Sequence, residues 1–126
     1  MTLASLDHVN IRTANLAPMS AFYERVLGMK SGPRPPFSFG GAWHYCGETA
    51  AVHLVEVSRQ PVGKEPRVEH FAFRAKGMKT FLETLQREKI EFDIRVVPES
   101  GIQQVNVSDP DGNHIEIQFL PSDRAD

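Results

Sequence analysis

Histidines at positions 8, 53 and 70 and a glutamate at 116 recur at matched spacing: His70 follows His8 by 62 residues, and Glu116 follows His53 by 63. Imidazole nitrogen and carboxylate oxygen are donors that bind divalent metals, so each half of the chain offers two ligand candidates. They sit beside apolar neighbours in strand-like stretches: Val52-His53-Leu54, Glu69-His70-Phe71 and Ile115-Glu116-Ile117. The stretch Asp7-His8-Val9 has that character on one side only. Because side chains alternate faces along a strand, the apolar neighbours are able to enter a core while all four candidates face the other way. The expectation is a pseudo-symmetric pocket around one metal ion.

Three imidazoles and one carboxylate suit Zn, Ni, Co, Mn or Fe(II) better than Ca or Mg, which favour all-oxygen shells. An octahedral ion with four protein ligands keeps two open positions, enough for a substrate to bind through adjacent oxygens. The metal would act as a Lewis acid toward an enolate-like charge. Glu116 is then the one carboxylate of the set able to detach and carry a proton, which makes it the catalytic candidate. Without His53, the remaining His8, His70 and Glu116 form a two-His, one-carboxylate set, also used by non-haem Fe(II) oxygenases. Taken singly, each histidine reads better as a half-buried, hydrogen-bonded strand residue than as a ligand. Four in phase across two halves are harder to dismiss.

The secondary structure around these residues also repeats. Residues 5–12 alternate as a strand, and Asn15 is placed to cap a helix that tolerates Pro18 in its first turn. Leu16, Met19, Phe22, Tyr23, Val26 and Leu27 follow at helical spacing, with Gly28 as the stop. Residues 30–41 read as a loop or irregular edge strand, and 42–46 with 50–57 as a hairpin. The polar, proline-bearing stretch 58–67 is the best linker. Strand 68–75, a helix marked by Met78, Phe81, Leu82 and Leu85, and strands near 91–97, 102–108 and 113–120 then repeat the order. Asp109-Pro110-Asp111-Gly112-Asn113 is strong turn chemistry, and the tail 121–126 reads as loose. Two copies of a strand-helix-strands unit are indicated, neither able to bury its apolar face alone.

Bulk properties narrow the setting. The 126 residues suit one domain, with an ordinary globular balance of 40% apolar and 24% charged residues. A net charge of −2 argues against general nucleic-acid binding. No apolar run approaches the ~20 residues that span a bilayer. The N-terminus lacks the pattern of a secretion signal, and a single cysteine permits no intrachain disulfide, so a cytoplasmic protein is expected.

Weaker candidates surround the four. Asn10 is placed to orient a ligand or to satisfy a backbone group. Arg12 and Arg74 lie four residues past His8 and His70, roughly 13 Å along each strand, and would greet an anionic substrate or form rim salt bridges. Trp43, with Phe37, Phe39 and Tyr45, would wall an apolar pocket or pack a hairpin. His114 shares a face with Glu116, which would bring it to the pocket mouth, but reads better as a turn-flanking surface residue, and Cys46 as a small buried filler. His44 takes no assignment. No P-loop, dinucleotide fingerprint or His-Glu-x-x-His helix is present.

In four segments the chain resembles the vicinal oxygen chelate superfamily, which includes glyoxalase I, methylmalonyl-CoA epimerase, extradiol dioxygenases and the fosfomycin and bleomycin resistance proteins. The segments are Leu6-Asp7-His8-Val9, Phe22-Tyr23-Glu24-Arg25-Val26-Leu27-Gly28-Met29, Val68-Glu69-His70-Phe71-Ala72-Phe73, and the run from Asp109 to Ile117. The resemblance implies an α+β fold: two βαβββ modules forming a curled eight-stranded incomplete barrel with helices on the outer face. It makes residues 1–126 a single domain, with modules at about 1–60 and 66–120, and commonly pairs two chains as a homodimer. By the same resemblance His8 is the first-strand ligand, His70 its counterpart and Glu116 the last-strand carboxylate. His53 falls where glyoxalase I has a glutamate.

Together these lead to a cytoplasmic, homodimeric enzyme with a small-molecule substrate, no nucleic-acid or membrane partner, and one divalent metal. Glyoxalase-like isomerase or lyase chemistry through a metal-stabilised enolate is expected. The alternatives are an Fe(II) dioxygenase of the same superfamily and a drug- or metabolite-sequestering protein without chemistry.

Overall fold

The computed structural model describes residues 1–63 and 66–125. The chain divides into two compact units, Met1–Gly63 and Lys64–Asp126. The division falls within the stretch expected as the linker.

The first unit runs β1 (Val9–Thr13), α1 (Leu16–Arg25), β2 (Lys30–Gly32), β3 (Gly41–Cys46) and β4 (Thr49–Glu56). Its open sheet has the order β1-β4-β3-β2, with β1 parallel to β4 and the other neighbours antiparallel. The helical spacing buries Met19, Phe22 and Tyr23 against the sheet's apolar face, where Val52 and Leu54 of β4 lie. Pro18 is tolerated in the first turn because the first helical amides have no intrahelical acceptor. Asn15 occupies the N-cap position, but its side chain makes no capping hydrogen bond. After the last residue of the helix, Arg25, and the cap at Val26, the chain turns away at Gly28, whose φ of +68° lies in the left-handed region, and Met29 N–H donates to the Tyr23 carbonyl. The proline-rich stretch yields only the three-residue edge strand β2.

The second unit repeats the order as β5 (His70–Arg74), α2 (Met78–Arg87), β6 (Asp93–Val96), β7 (Gln103–Ser108) and β8 (His114–Phe119). Its sheet order, β5-β8-β7-β6, and its parallel β5·β8 pair match the first unit's. Two βαβββ modules are therefore present, as expected. Val105, Val107, Ile115, Ile117 and Phe119 are buried on one face of this sheet, Met78 and Leu85 of α2 are buried too, and Phe81 of α2 packs on Phe119.

Two local devices fix the second sheet. The Asp109 carboxylate, on a residue only 4% exposed, accepts the N–H groups of Asp111 (3.0 Å) and Asn113 (2.9 Å) and the Asn113 side-chain amide (2.8 Å). This turn sets the β7·β8 register, which pairs Ser108 with His114 and Asn106 with Glu116. In the tail, Asp123 is not loose: its carboxylate accepts the N–H groups of Gly77 (2.7 Å) and Met78 (3.0 Å), capping α2. Cys46 also departs from expectation. It ends β3 at the Gly47–Glu48 turn and is exposed rather than buried.

Candidate metal centre

In each sheet one face is apolar and packs on its helix, while the other carries the candidates. In the first unit, β3 and β4 pair Trp43 with His53, and β1 places Asn10 beside His53. His8 immediately precedes β1. Its ring stacks on His53, with centroids 3.9 Å apart and planes within 11°, and Trp43 stacks on His53 at 3.9 Å and 10°. The sheet thus sandwiches His53 between His8 and Trp43. The His53 Nε2–H donates to the Ala50 carbonyl (3.0 Å), leaving Nδ1 as the lone-pair nitrogen. Desolvation by burial, reinforced by His8, holds its pKa below the ordinary imidazole value. The His8 Nδ1 faces the Asp7 carboxylate at 2.7 Å, which leaves Nε2 outward.

The sandwich limits what the pair does together. An imidazole binds a metal through a lone pair in its ring plane. Two nearly parallel stacked rings do not both direct such lone pairs at one ion. One must turn, and His53, held on both faces, is the more constrained.

The second unit joins His70 and Glu116 directly, with His70 Nε2 2.9 Å from Glu116 Oε2. Two donors on one ion, at bonds of ~2.1 Å about 90° apart, lie ~3 Å from one another, so this spacing fits a shared metal. Glu116 is 6% exposed, and Gln118 Nε2 donates to its other oxygen at 3.1 Å. The His70 Nδ1 contacts the Glu69 carboxylate. Both ring nitrogens of His70 therefore face carboxylate oxygens, an arrangement satisfied by a doubly protonated ring or by a cation at Nε2. The hydrogen bond to Glu69 raises the His70 pKa, opposed by desolvation and aided by Glu116. Hydrogen bonds from His70 and His114 in turn hold the Glu69 carboxyl below the usual range.

His114 differs from its expected surface role. It is half-buried, its Nδ1 faces Glu69 Oε1 at 2.9 Å and its Nε2 faces Asn106 Oδ1 at 2.7 Å. Glu69, His70 and His114 each bring a ligand atom within 4.8 Å of the others. Glu69, Asn106 and Gln118 were not singled out by sequence. The signal for Asn106 and Gln118 was present as polar residues alternating with buried ones along β7 and β8.

The remaining candidates are peripheral. Asn10, Arg12 and Arg74 are exposed on β1 and β5. Phe37 and Phe39, 43% and 45% exposed, stack on one another, and the Arg34 guanidinium lies over both rings. Phe37 also approaches Trp43, at 6.4 Å between centroids, so an aromatic row leads from the β2–β3 loop to His53. His44 belongs to the core: it is fully buried, its Nε2 meets Ser20 Oγ at 2.9 Å, and Tyr23 lies beside its ring. Among the described residues no helix is long and apolar enough to cross a membrane.

The repeated βαβββ modules agree with the comparisons. The sequence profile of the Glyoxalase/Bleomycin resistance protein/Dioxygenase superfamily matches residues 5–117, and the chain belongs to that family. It is 32% identical over 123 residues to Glyoxylase I 4 of Arabidopsis thaliana, covering 91% of this chain and 70% of the relative. Among solved structures, a glyoxalase family protein of Bacillus anthracis matches with a TM-score of 0.79 at 26% identity, over 95% of this chain and 98% of that one. A glyoxylase/bleomycin resistance protein/dioxygenase domain from Frankia sp. EAN1pec shares the fold at a TM-score of 0.78 and 17% identity, over 94% and 93% of the two chains.

Proposed function

We propose that the chain is a metal-dependent enzyme of this superfamily in which His8, His70 and Glu116 hold one divalent ion, with His53 as a fourth donor when its ring leaves the stack. The observation that carries this reading is the 2.9 Å approach of His70 Nε2 and Glu116 Oε2 on the polar face of the second sheet. The repeat supplies a second pair, His8 and His53, on the corresponding face of the first. The donor chemistry suits Zn, Ni, Co, Mn or Fe(II).

When bound, the ion supplies Lewis acidity toward negative charge developing on a substrate oxygen. Glu116 holds the proton taken from the carbon beside that oxygen and returns it elsewhere on the substrate, as an isomerase or lyase requires. Its buried carboxylate, steadied by Gln118, is suited to that task. Trp43 and the exposed Phe37 and Phe39 offer apolar surface to the rest of the substrate, and Arg12 and Arg74 offer positive charge. The substrate class is a small molecule with adjacent oxygens, handled in the cytoplasm.

The test incubates metal-loaded protein with α-hydroxycarbonyl compounds in deuterated water while dissolved oxygen is monitored. Deuterium incorporation without oxygen uptake is expected, and it should disappear in Glu116→Gln. Oxygen consumption supported by iron alone would replace this reading with a dioxygenase. Tight binding of an unchanged ligand by metal-free protein would replace it with sequestration.

A further inference from the structure

The contacts that orient the two strand-start histidines repeat across the modules. Asp7 precedes His8 and its carboxylate faces His8 Nδ1 at 2.7 Å. Glu69, 62 residues later as His70 is to His8, precedes His70 and its carboxylate faces His70 Nδ1. Resting on the metal reading above, we propose that Asp7 and Glu69 are paired positioning residues. Each holds a proton on Nδ1, fixes the ring's rotation and so presents Nε2 as the metal-binding nitrogen in its module.

The physical basis is the tautomer choice. A neutral imidazole has one N–H and one lone pair, and an acceptor beside Nδ1 assigns the lone pair to Nε2. Carboxylates in this role also raise ligand basicity. In the second module Nε2 is the nitrogen that meets Glu116. Both acids lie outside the strands, with side chains 82% and 69% exposed, so neither is needed by the core. Glu69 has an added anchor. Its second oxygen meets His114 Nδ1, and His114 Nε2 meets Asn106, tying Glu69 to β8 and β7. No equivalent tie to Asp7 exists among the described contacts, so Glu69 is the more firmly held of the two. That accounts for His114, which the metal set leaves unused.

The test measures Co²⁺ affinity and the cobalt visible spectrum for the full chain. The variants are Asp7→Ala, Glu69→Ala, the length-swapped Asp7→Glu and Glu69→Asp, and Glu116→Ala as a ligand control. Glu69→Ala and Asp7→Ala should each weaken binding about tenfold, well short of the loss in Glu116→Ala, and alter the spectrum, with metal-free melting unchanged. The swapped acids should recover most of the affinity, because each module already uses one of the two lengths. Wild-type affinity and spectrum in both alanine variants would overturn the inference, and so would loss in Glu69→Ala as complete as in Glu116→Ala, which would make Glu69 a ligand. Wild-type protein that binds no cobalt would overturn the metal reading itself and the inference with it. Intact binding in wild type with loss only in Glu116→Ala would overturn the inference alone.

Discussion

Replacing His53 with alanine should weaken metal binding far less than replacing Glu116, and the stacked geometry supplies the size of the difference. A structural zinc site contributes roughly 10–16 kcal/mol, so one ligand of four is worth about 3 kcal/mol, or ~100-fold in affinity. Glu116 already lies 2.9 Å from His70 Nε2 and needs no rearrangement, so Glu116→Ala should show that full loss. His53 must first leave two ring contacts, with His8 and with Trp43, both at 3.9 Å. At about 1 kcal/mol for each stacked pair, departure costs about 2 kcal/mol. The hydrogen bond from Nε2 to Ala50 survives if the ring tilts while keeping that nitrogen in place. The net contribution of His53 is then about 1 kcal/mol, and His53→Ala should weaken binding about fivefold. Competition with a chromophoric chelator at pH 7.5, on wild type and both variants, measures this. Equal hundredfold losses would show that the stack does not restrain His53.

Other outcomes follow from particular contacts. Asp109→Ala leaves three donors without their ionised acceptor in a nearly buried turn and should cost about 3 kcal/mol, lowering the melting temperature by ~10 °C; a shift below about 2 °C would contradict it. Metal affinity should begin to fall above pH 6.5 as the solution is acidified, because His70 has a raised pKa and its Nε2 proton competes with the ion; chelator competition from pH 8 to 5 tests this, and a flat profile counts against it. Burial lowers the His44 pKa, so the unfolded chain takes up that proton first and metal-free stability should decline as pH falls through ~6.5. Melting curves at pH 7 and pH 5 should show a smaller difference in His44→Leu than in wild type.

The repeated architecture was legible because the relevant signals are local. Apolar spacing in Leu16–Leu27 and Met78–Leu85, the Gly28 stop and the Asp109–Asn113 turn each specify their own segment, and the duplication checks one half against the other. The side-chain facing of His53, His70 and Glu116 followed from strand alternation. What escaped depended on contacts distant in sequence. His114 and Glu69 are 45 residues apart and meet only because β5 and β8 pair in parallel. Asp123 reaches back 46 residues to cap α2, which no composition of the tail reveals. The stacking of His53 between His8 and Trp43 depends on three strands in register, so the sequence marked His53 as a donor without the constraint on its ring. Cys46 was misplaced because a small sulfur-bearing residue in an apolar run suggests burial, while its position at a hairpin end exposes it.

Retention of one divalent ion through Glu116 and the histidines, as proposed, is open to direct measurement. Elemental analysis of protein purified without added metal, alongside Glu116→Ala prepared identically, tests it most directly. One zinc-, nickel-, cobalt-, manganese- or iron-class ion per site in wild type, largely lost in the variant, is the predicted result. Wild type and variant carrying equal metal, or wild type carrying none and failing to acquire any on titration, would contradict it.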